Sequence, residues 1–442
     1  MKHDAPFAAF LRRNGAAILL AAGLFAAFYL AAYRLTRVRS DYFLHCLWAM
    51  DMTPRSMLRS FYNGSERLWH IFVNLTASSL IPDMFKASAA VTALADAAAY
   101  FLVFKTFDKA LPEKPPRWLL ALIAAAPFFA SSITVPGGGL YAGVGAVNTW
   151  HNPTNIMVRP LAAAVFYMTV RIYNRARFGE HGVIVSRDAP VPMEGGFSAQ
   201  FKKPVYTPAE RILYPLCLLL SVYAKPSFLQ FFAPAILLFL LIDLIRTRGM
   251  LLPFCLKLAL AYIPAGVILL ITLRGFFPDG AATAAEAAQT AAESESAAGI
   301  AVYFIAPAFA GIGDFLLSFV KALKSLLLPC AFPIAVFLIG GRRGGTRTMA
   351  GLAAMGVLAA FLETLLFHET GSRAAHGNFL WGMYLASWLA WTAAAGQYAL
   401  LAREKTKRGR LALYIGTPLL AWHLVCGVTY FVLILRAGDY YI

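Results

Sequence analysis

Apolar runs recur along this chain at lengths that a water-soluble fold does not need. A helix crosses the hydrocarbon core of a bilayer in about 20 residues, and eleven runs approach or reach that length. They lie near 15–33, 88–104, 118–133, 158–173, 211–224, 229–245, 251–273, 325–340, 348–366, 379–402 and 411–435. Inside lipid a backbone finds no water to bond, so a spanning segment that is not part of a closed barrel must be a helix. The chain therefore reads as all-α, a polytopic transmembrane helical bundle of about 11 spans forming a single domain over residues 1–442. A hydrophobic content of 60%, with only 14% charged residues, agrees. The first run ends at Tyr33-Arg34 without a small-residue cleavage site, so it reads as a retained span and not a signal peptide. Several runs are short for a straight span. The pair around Lys225-Pro226 reads as two helices or as one broken unit, and the second choice would reverse every later segment.

Charge favours two helices. The net charge of +17 is carried by short Lys/Arg clusters between apolar runs, the pattern of cytoplasmic loops. With no basic domain outside the spans, nucleic acid is not an expected partner. With the N-terminus inside, the segments on its side of the membrane hold 23 Lys and Arg and the opposite segments hold 13, although the latter are longer in total. This predicts a cytoplasmic N-terminus and outer loops at 34–87, 134–157, 274–324 and 367–378. The five cysteines form no CxxC pair and four lie in apolar runs, so neither a disulfide framework nor a thiolate metal site is indicated.

The unusual polar residues collect in those outer loops. Of eight histidines, His45, His70, His151, His368 and His376 fall there. In SDYFLHCLWAMDM (40–52), Asp41 and His45 are four apart and share a face if the segment is helical. That stretch, continued by RLWHIFVNL (67–75), alternates as helices lying along a membrane surface do. Anchoring by Tyr42, Trp48 and Trp69 explains the aromatics, but not an acid and a histidine directly after a span. In PGGGLYAGVGAVNTWHNPTNIMVRP (136–160), glycines permit close backbone approach, and Trp150, His151, Asn152 and Thr154 precede a span that begins at Arg159. No nucleotide-binding glycine pattern is present.

Two further stretches complete the set. Lys225, in YAKPSFLQFF (223–232), either snorkels to the interface or binds phosphate. FLETLLFHETGSRAAHGNFLWG (361–382) gathers His368, Glu369, Arg373, His376 and Asn378 within a few residues, a mixture suited to phosphate or pyrophosphate. No HExxH occurs, so no metal ligands are assigned. A divalent metal held by long-range convergence is left open. The Ala-rich stretch 281–299 reads as a spacer, and no GxSxG supports a serine nucleophile.

An Asp immediately after the first span, surface-lying aromatic helices, about eleven spans and polar outer loops resemble the GT-C glycosyltransferases. These are integral membrane enzymes that take sugars from polyprenyl-phosphate carriers on the outer face. SDYFLH is the local match, and TWHNPT, AKPSFL and HGNFLWG look like hallmarks of a bacterial group within them. The resemblance implies a bacterial inner-membrane enzyme of the cell envelope whose partners are a polyprenyl-phosphate-linked sugar donor, a glycan or lipid acceptor, and membrane lipid. Asp41 would be the base that deprotonates the acceptor hydroxyl, with Asp51 as the fallback. Lys225, Arg373 and His376 would hold the donor phosphate. His45, His70, Trp150, His151, Asn152, Glu369 and Asn378 would contact substrate. No large soluble domain follows the last run, so the loops would recognise the acceptor. A polymerase or ligase using lipid-linked glycan, and a flippase of such a glycan, are the competing classes. The flippase should carry charge along a path through the membrane.

Overall fold

A computed structural model describes residues 6–38, 40–63, 67–111, 115–132, 147–148, 150–186, 189–191, 197–274, 300–302, 316, 319–320, 323–324, 326–341, 345–369 and 379–437. Each of the eleven apolar runs contains helix among its described residues. In chain order, α1 (Pro6–Leu35) leads to three short helices, α2 (Asp41–Met50), α3 (Pro54–Tyr62) and α4 (Leu68–Ser79). Then come α5 (Met84–Ala110), α6 (Arg117–Phe129), the single turn α7 (Pro153–Met157), α8 (Arg159–Phe178), α9 (Phe197–Lys202) and α10 (Pro208–Ala224). They are followed by α11 (Ser227–Arg246), α12 (Leu252–Arg274), α13 (Ala331–Gly340), α14 (Arg347–Leu366) and α15 (Leu380–Leu401). Finally, α16 (Lys407–Leu411) passes through one π-helical turn, Ala412–Gly416, into α17 (Thr417–Ala437).

Seven of these segments are long and apolar enough to cross a membrane, which is what an integral membrane protein requires. They are Arg13–Leu35, Met84–Ala110, Pro153–Phe178, Ser227–Arg246, Leu252–Thr272, Arg347–Leu366 and Lys407–Arg436. Of the remaining four runs, α6 and α13 are short, at 13 and 10 residues. Likewise α10 has 17 residues. The fourth, α15, is buried along nearly its whole length, which accommodates Ser387, Thr392 and Gln397 in the core. The chain does break at Lys225-Pro226: Lys225 is extended (φ −162°) and ends α10, and Pro226 starts α11. The one sheet among the described residues pairs β1 (Ile300–Val302) antiparallel with β2 (Phe367–Glu369), setting Ile300 opposite Glu369.

The bundle has two chemically different ends. At one, arginines close on carboxylates: Arg13 and Arg117 on Asp108 (3.7 and 3.4 Å), Arg171 and Arg175 on Glu210 (3.1 and 2.8 Å), and Arg177 on Asp243 (2.6 Å). The other end carries α2–α4, the start of α8, the α10–α11 break and the start of α15.

A fully buried ion pair ties the head of α8 to α5. The charge that the sequence places at the head of α8, Arg159, donates to Asp96 of α5 at 2.8 Å and to Asn148 Oδ1 at 3.1 Å, with its guanidinium 5.5 Å from the centre of the Trp388 ring. Asn148 in turn donates to the carbonyls of Pro127 and Ala130 (3.0 and 2.7 Å), which satisfies the end of α6. Past that end, Ser131 N–H donates to the His423 carbonyl at 3.1 Å. Gly427 permits this approach, because a Cβ there would lie 1.4 Å from the Phe129 carbonyl oxygen.

Removing one partner of a buried pair strands the other charge, at a cost of about 3–5 kcal/mol. Arg159→Met is therefore expected to lower unfolding stability in detergent by about that amount. Asp96→Leu/Arg159→Met should recover most of the loss. Denaturant titration of the three proteins reads the difference.

Candidate functional site

Ser40 Oγ donates to the Leu35 carbonyl at 2.6 Å, turning the chain directly from α1 into α2. Asp41 and His45 then stand one turn apart on α2, as their spacing predicts. Across from them, Asn152 caps α7: its Oδ1 accepts from the Thr154 hydroxyl and the Asn155 N–H, both at 2.9 Å. With its oxygen engaged in the cap, only the amide NH2 remains to face outward, and it donates to Asp41 Oδ2 at 3.2 Å. Two stretches 111 residues apart thus meet at the carboxylate.

The other stretches join the same place. His151 is buried with its ring 5.5 Å from that of Trp381, two residues into the start of α15. The Lys225 ammonium lies 5.3 Å from the centre of the same indole, and Lys225 is only 7% exposed. A cation over an indole face is favourable, more so away from water. On the α2–α4 side, His45 Nδ1 and His70 Nε2 are 2.8 Å apart, so one ring donates and the other accepts. Trp48 and Trp69 flank the pair, and Trp69 Nε1–H ties α4 to α5 by donating to Thr92 Oγ1 at 3.0 Å.

Burial disfavours the charged imidazoles. It holds His45 well below the usual histidine range, and the neighbouring His70, Lys225 and Arg67 push the same way. Burial takes His70 down to about 3, helped by Arg67 and Lys225. It takes His151 down to about 4 against the opposing pull of the Asp41 carboxylate. All three are therefore neutral hydrogen-bonding groups at neutral pH.

Not every expected residue joins the cluster. Trp150 is turned into the core, stacked on Tyr430 (5.2 Å) and packed against Phe28, Phe129 and Phe431, where it wedges α1, α6 and α17 together. Asp51 is exposed at the end of α2 and lines a separate cavity of about 330 Å³ with Trp48 and Arg67. Glu369 is described only as backbone in β2, and Arg373, His376 and Asn378 lie outside the described residues. Among the described residues no three His, Cys, Asp or Glu side chains cluster to hold a metal. Trp381 was not among the expected ligands, although HGNFLWG contains it. Beside it, Glu363 is buried with Oε2 lacking a hydrogen-bond partner, and that atom lies 2.9 Å from where a Cβ on Gly382 would sit.

No family profile, no curated protein and no solved structure matches this chain. The geometry alone therefore defines the site: a half-buried carboxylate oriented by an amide, a buried cation on an aromatic ring, and three neutral imidazoles. Such a set can accept a proton at one point and stabilise negative charge at another.

A histidine held neutral by the fold gives a definite pH dependence. Below about 6.5 the unfolded chain takes up protons that folded His45, His70 and His151 refuse, so stability is full above that pH and falls as pH drops toward 4. The loss is about 1.4 kcal/mol per pH unit for each such histidine. Unfolding in detergent between pH 7.5 and 4.5 should show this slope, and His70→Asn should flatten it by about one histidine's share.

Proposed function

We propose that this protein is a membrane glycosyltransferase that moves a sugar from a polyprenyl-phosphate-linked donor to a glycan or lipid acceptor outside the cytoplasm. The observation that carries the reading is the contact of Asp41 with Asn152, which joins SDYFLH to TWHNPT at 3.2 Å, with Lys225 and Trp381 alongside. The positive-inside rule assigns the arginine-rich end of the bundle to the cytoplasm, in keeping with a bacterial inner membrane, and leaves the Asp41 end outside. There α2–α4 lie along the outer membrane surface with exposed apolar residues such as Leu44, Leu58, Phe72 and Leu75 toward lipid.

In this reading Asp41 accepts the proton of the acceptor hydroxyl while the acceptor oxygen bonds to the anomeric carbon. The bond from that carbon to the phosphate oxygen breaks, and polyprenyl phosphate leaves with the electron pair. Lys225 offsets the charge that builds on the phosphate, together with Arg373 and His376 of the 367–378 loop. Asn152 holds the Asp41 carboxylate in place, and neutral His45, His70 and His151, together with Glu369 and Asn378, would contact sugar hydroxyls. Asp41 is the base rather than Asp51, because about ten residues of helix, at 1.5 Å each, separate the two.

Transfer in liposomes loaded with polyprenyl-phosphate sugars tests this. Asp41→Asn, at equal folded yield, should lower transfer about 10²–10⁴-fold, the usual range for a general base. Lys225→Ala should lower it about 10²-fold through lost charge stabilisation. Wild-type rates in Asp41→Asn would rule out its role as base. A wild type that carries lipid-linked glycan across the bilayer without consuming donor would replace the enzyme with a flippase.

A further inference from the structure

The cavity beside Asp51 is not used by the proposed transfer. Its volume, about 330 Å³, sits at the lower end of the range for small-ligand pockets. Among the described residues that line it, Arg59 and Arg67 stand against one carboxylate, that of Asp51, so the described lining is net positive. Arg67 is held with its Cζ 5.1 Å from the centre of the Trp48 ring, which fixes a planar donor at the cavity wall. The walls themselves are tied: Asn74 of α4 donates to the Ala49 and Met52 carbonyls at 2.8 and 3.3 Å, pinning α4 to the end of α2. Arg67 is the N-cap residue of α4 and makes no side-chain cap hydrogen bond, so the positive end of the helix dipole adds to the same corner.

The helix across the cavity shows what kind of anion can reach it. Ser56, Arg59, Ser60 and Asn63 of the α3 segment recur every three or four residues and face the cavity. The hydroxyls of Ser56 and Ser60 already bond the helix backbone, which leaves Arg59 and the Asn63 amide as the donors on this wall. On another face, Leu58 and Tyr62, one turn apart, are 73% and 84% exposed. A helix with cationic donors on one side and bare apolar side chains on another belongs at a lipid–water boundary.

We infer that this cavity binds the phosphate headgroup of an anionic phospholipid, between Arg59 and Arg67, with the acyl chains leaving over Leu58 and Tyr62. Bidentate guanidinium contacts suit a phosphodiester. Asp51 repels the anion and holds it toward the arginine side. The inference rests on the placement of α2–α4 at the membrane surface. Its readout is binding, so a failure here leaves the transfer reaction standing, and a failure of transfer leaves this site standing.

The test is thermal unfolding of the full chain in detergent, titrated with phosphatidylglycerol, with phosphatidylcholine, whose own cation offsets its phosphate, or with inorganic phosphate. Phosphatidylglycerol should raise the melting temperature of wild type while phosphatidylcholine does not. Arg59→Gln and Arg67→Gln should each weaken that response about tenfold or more, in line with loss of a charge-assisted hydrogen bond. Arg55→Gln, an exposed arginine of the same helix outside the cavity, should leave it unchanged, and Asp51→Asn should strengthen it. Because Arg59 is exposed, its variant folds as wild type and decides the matter alone if Arg67→Gln is unstable. Equal response to both lipids, or an undiminished response in Arg59→Gln, overturns the inference. The same shift from inorganic phosphate alone overturns the lipid assignment and makes the cavity a site for a soluble anion.

Discussion

The arrangement depends on one guanidinium that the bundle must neutralise. Arg159 stands where hydrocarbon would make a lone charge costly, and Asp96 answers it at 2.8 Å. That contact locks α5 to α8. Through Asn148 it also fastens the segment that leads into residues 150–154, and Asn148 reaches on to the end of α6. The position of Asn152, and with it the orientation of the Asp41 carboxylate, follows from a charge pair buried beneath them. This also weakens a transport reading, since a closed pair is a structural tie and not a stepping stone for charge.

The two ends of the bundle divide the work. One end spends its carboxylates on arginines: Asp108, Glu210 and Asp243 all lie in ion pairs. At the other end Asp41 accepts from an uncharged amide, and Glu363 leaves an oxygen without a hydrogen-bond partner. Asp41 is thus held by an uncharged amide, where the carboxylates of the opposite end are held by guanidiniums. His45 and His70 nearby are kept neutral by burial and by Lys225 and Arg67.

Helices α2–α4 connect the cavity beside Asp51 to the cluster around Asp41. Trp48 borders the Asp51 cavity and touches His45, which bonds His70. Lys225 acts on both histidines and lies over Trp381, whose ring meets His151.

The sequence by itself determined that this is a helical membrane protein, because a run of apolar residues admits only one backbone arrangement in lipid. Each of the eleven runs contains helix, the break at Lys225-Pro226 appeared between two of them, and the Asp41–His45 spacing placed both on one face. How many of the helices cross the bilayer was less legible. Burial by neighbours lets α15 carry polar residues, and the short α6 and α13 pack as pieces of the core. Trp150 and Trp381 show the limit most clearly. Both are tryptophans in motif-like stretches, yet one fills the aromatic core and the other carries Lys225. Only the tertiary structure decided which faces the site, because long-range packing, unlike helix formation, is set by residues far away in the chain. The same holds for the partner of Arg159, 63 residues distant, and for the meeting of Asp41 with Asn152.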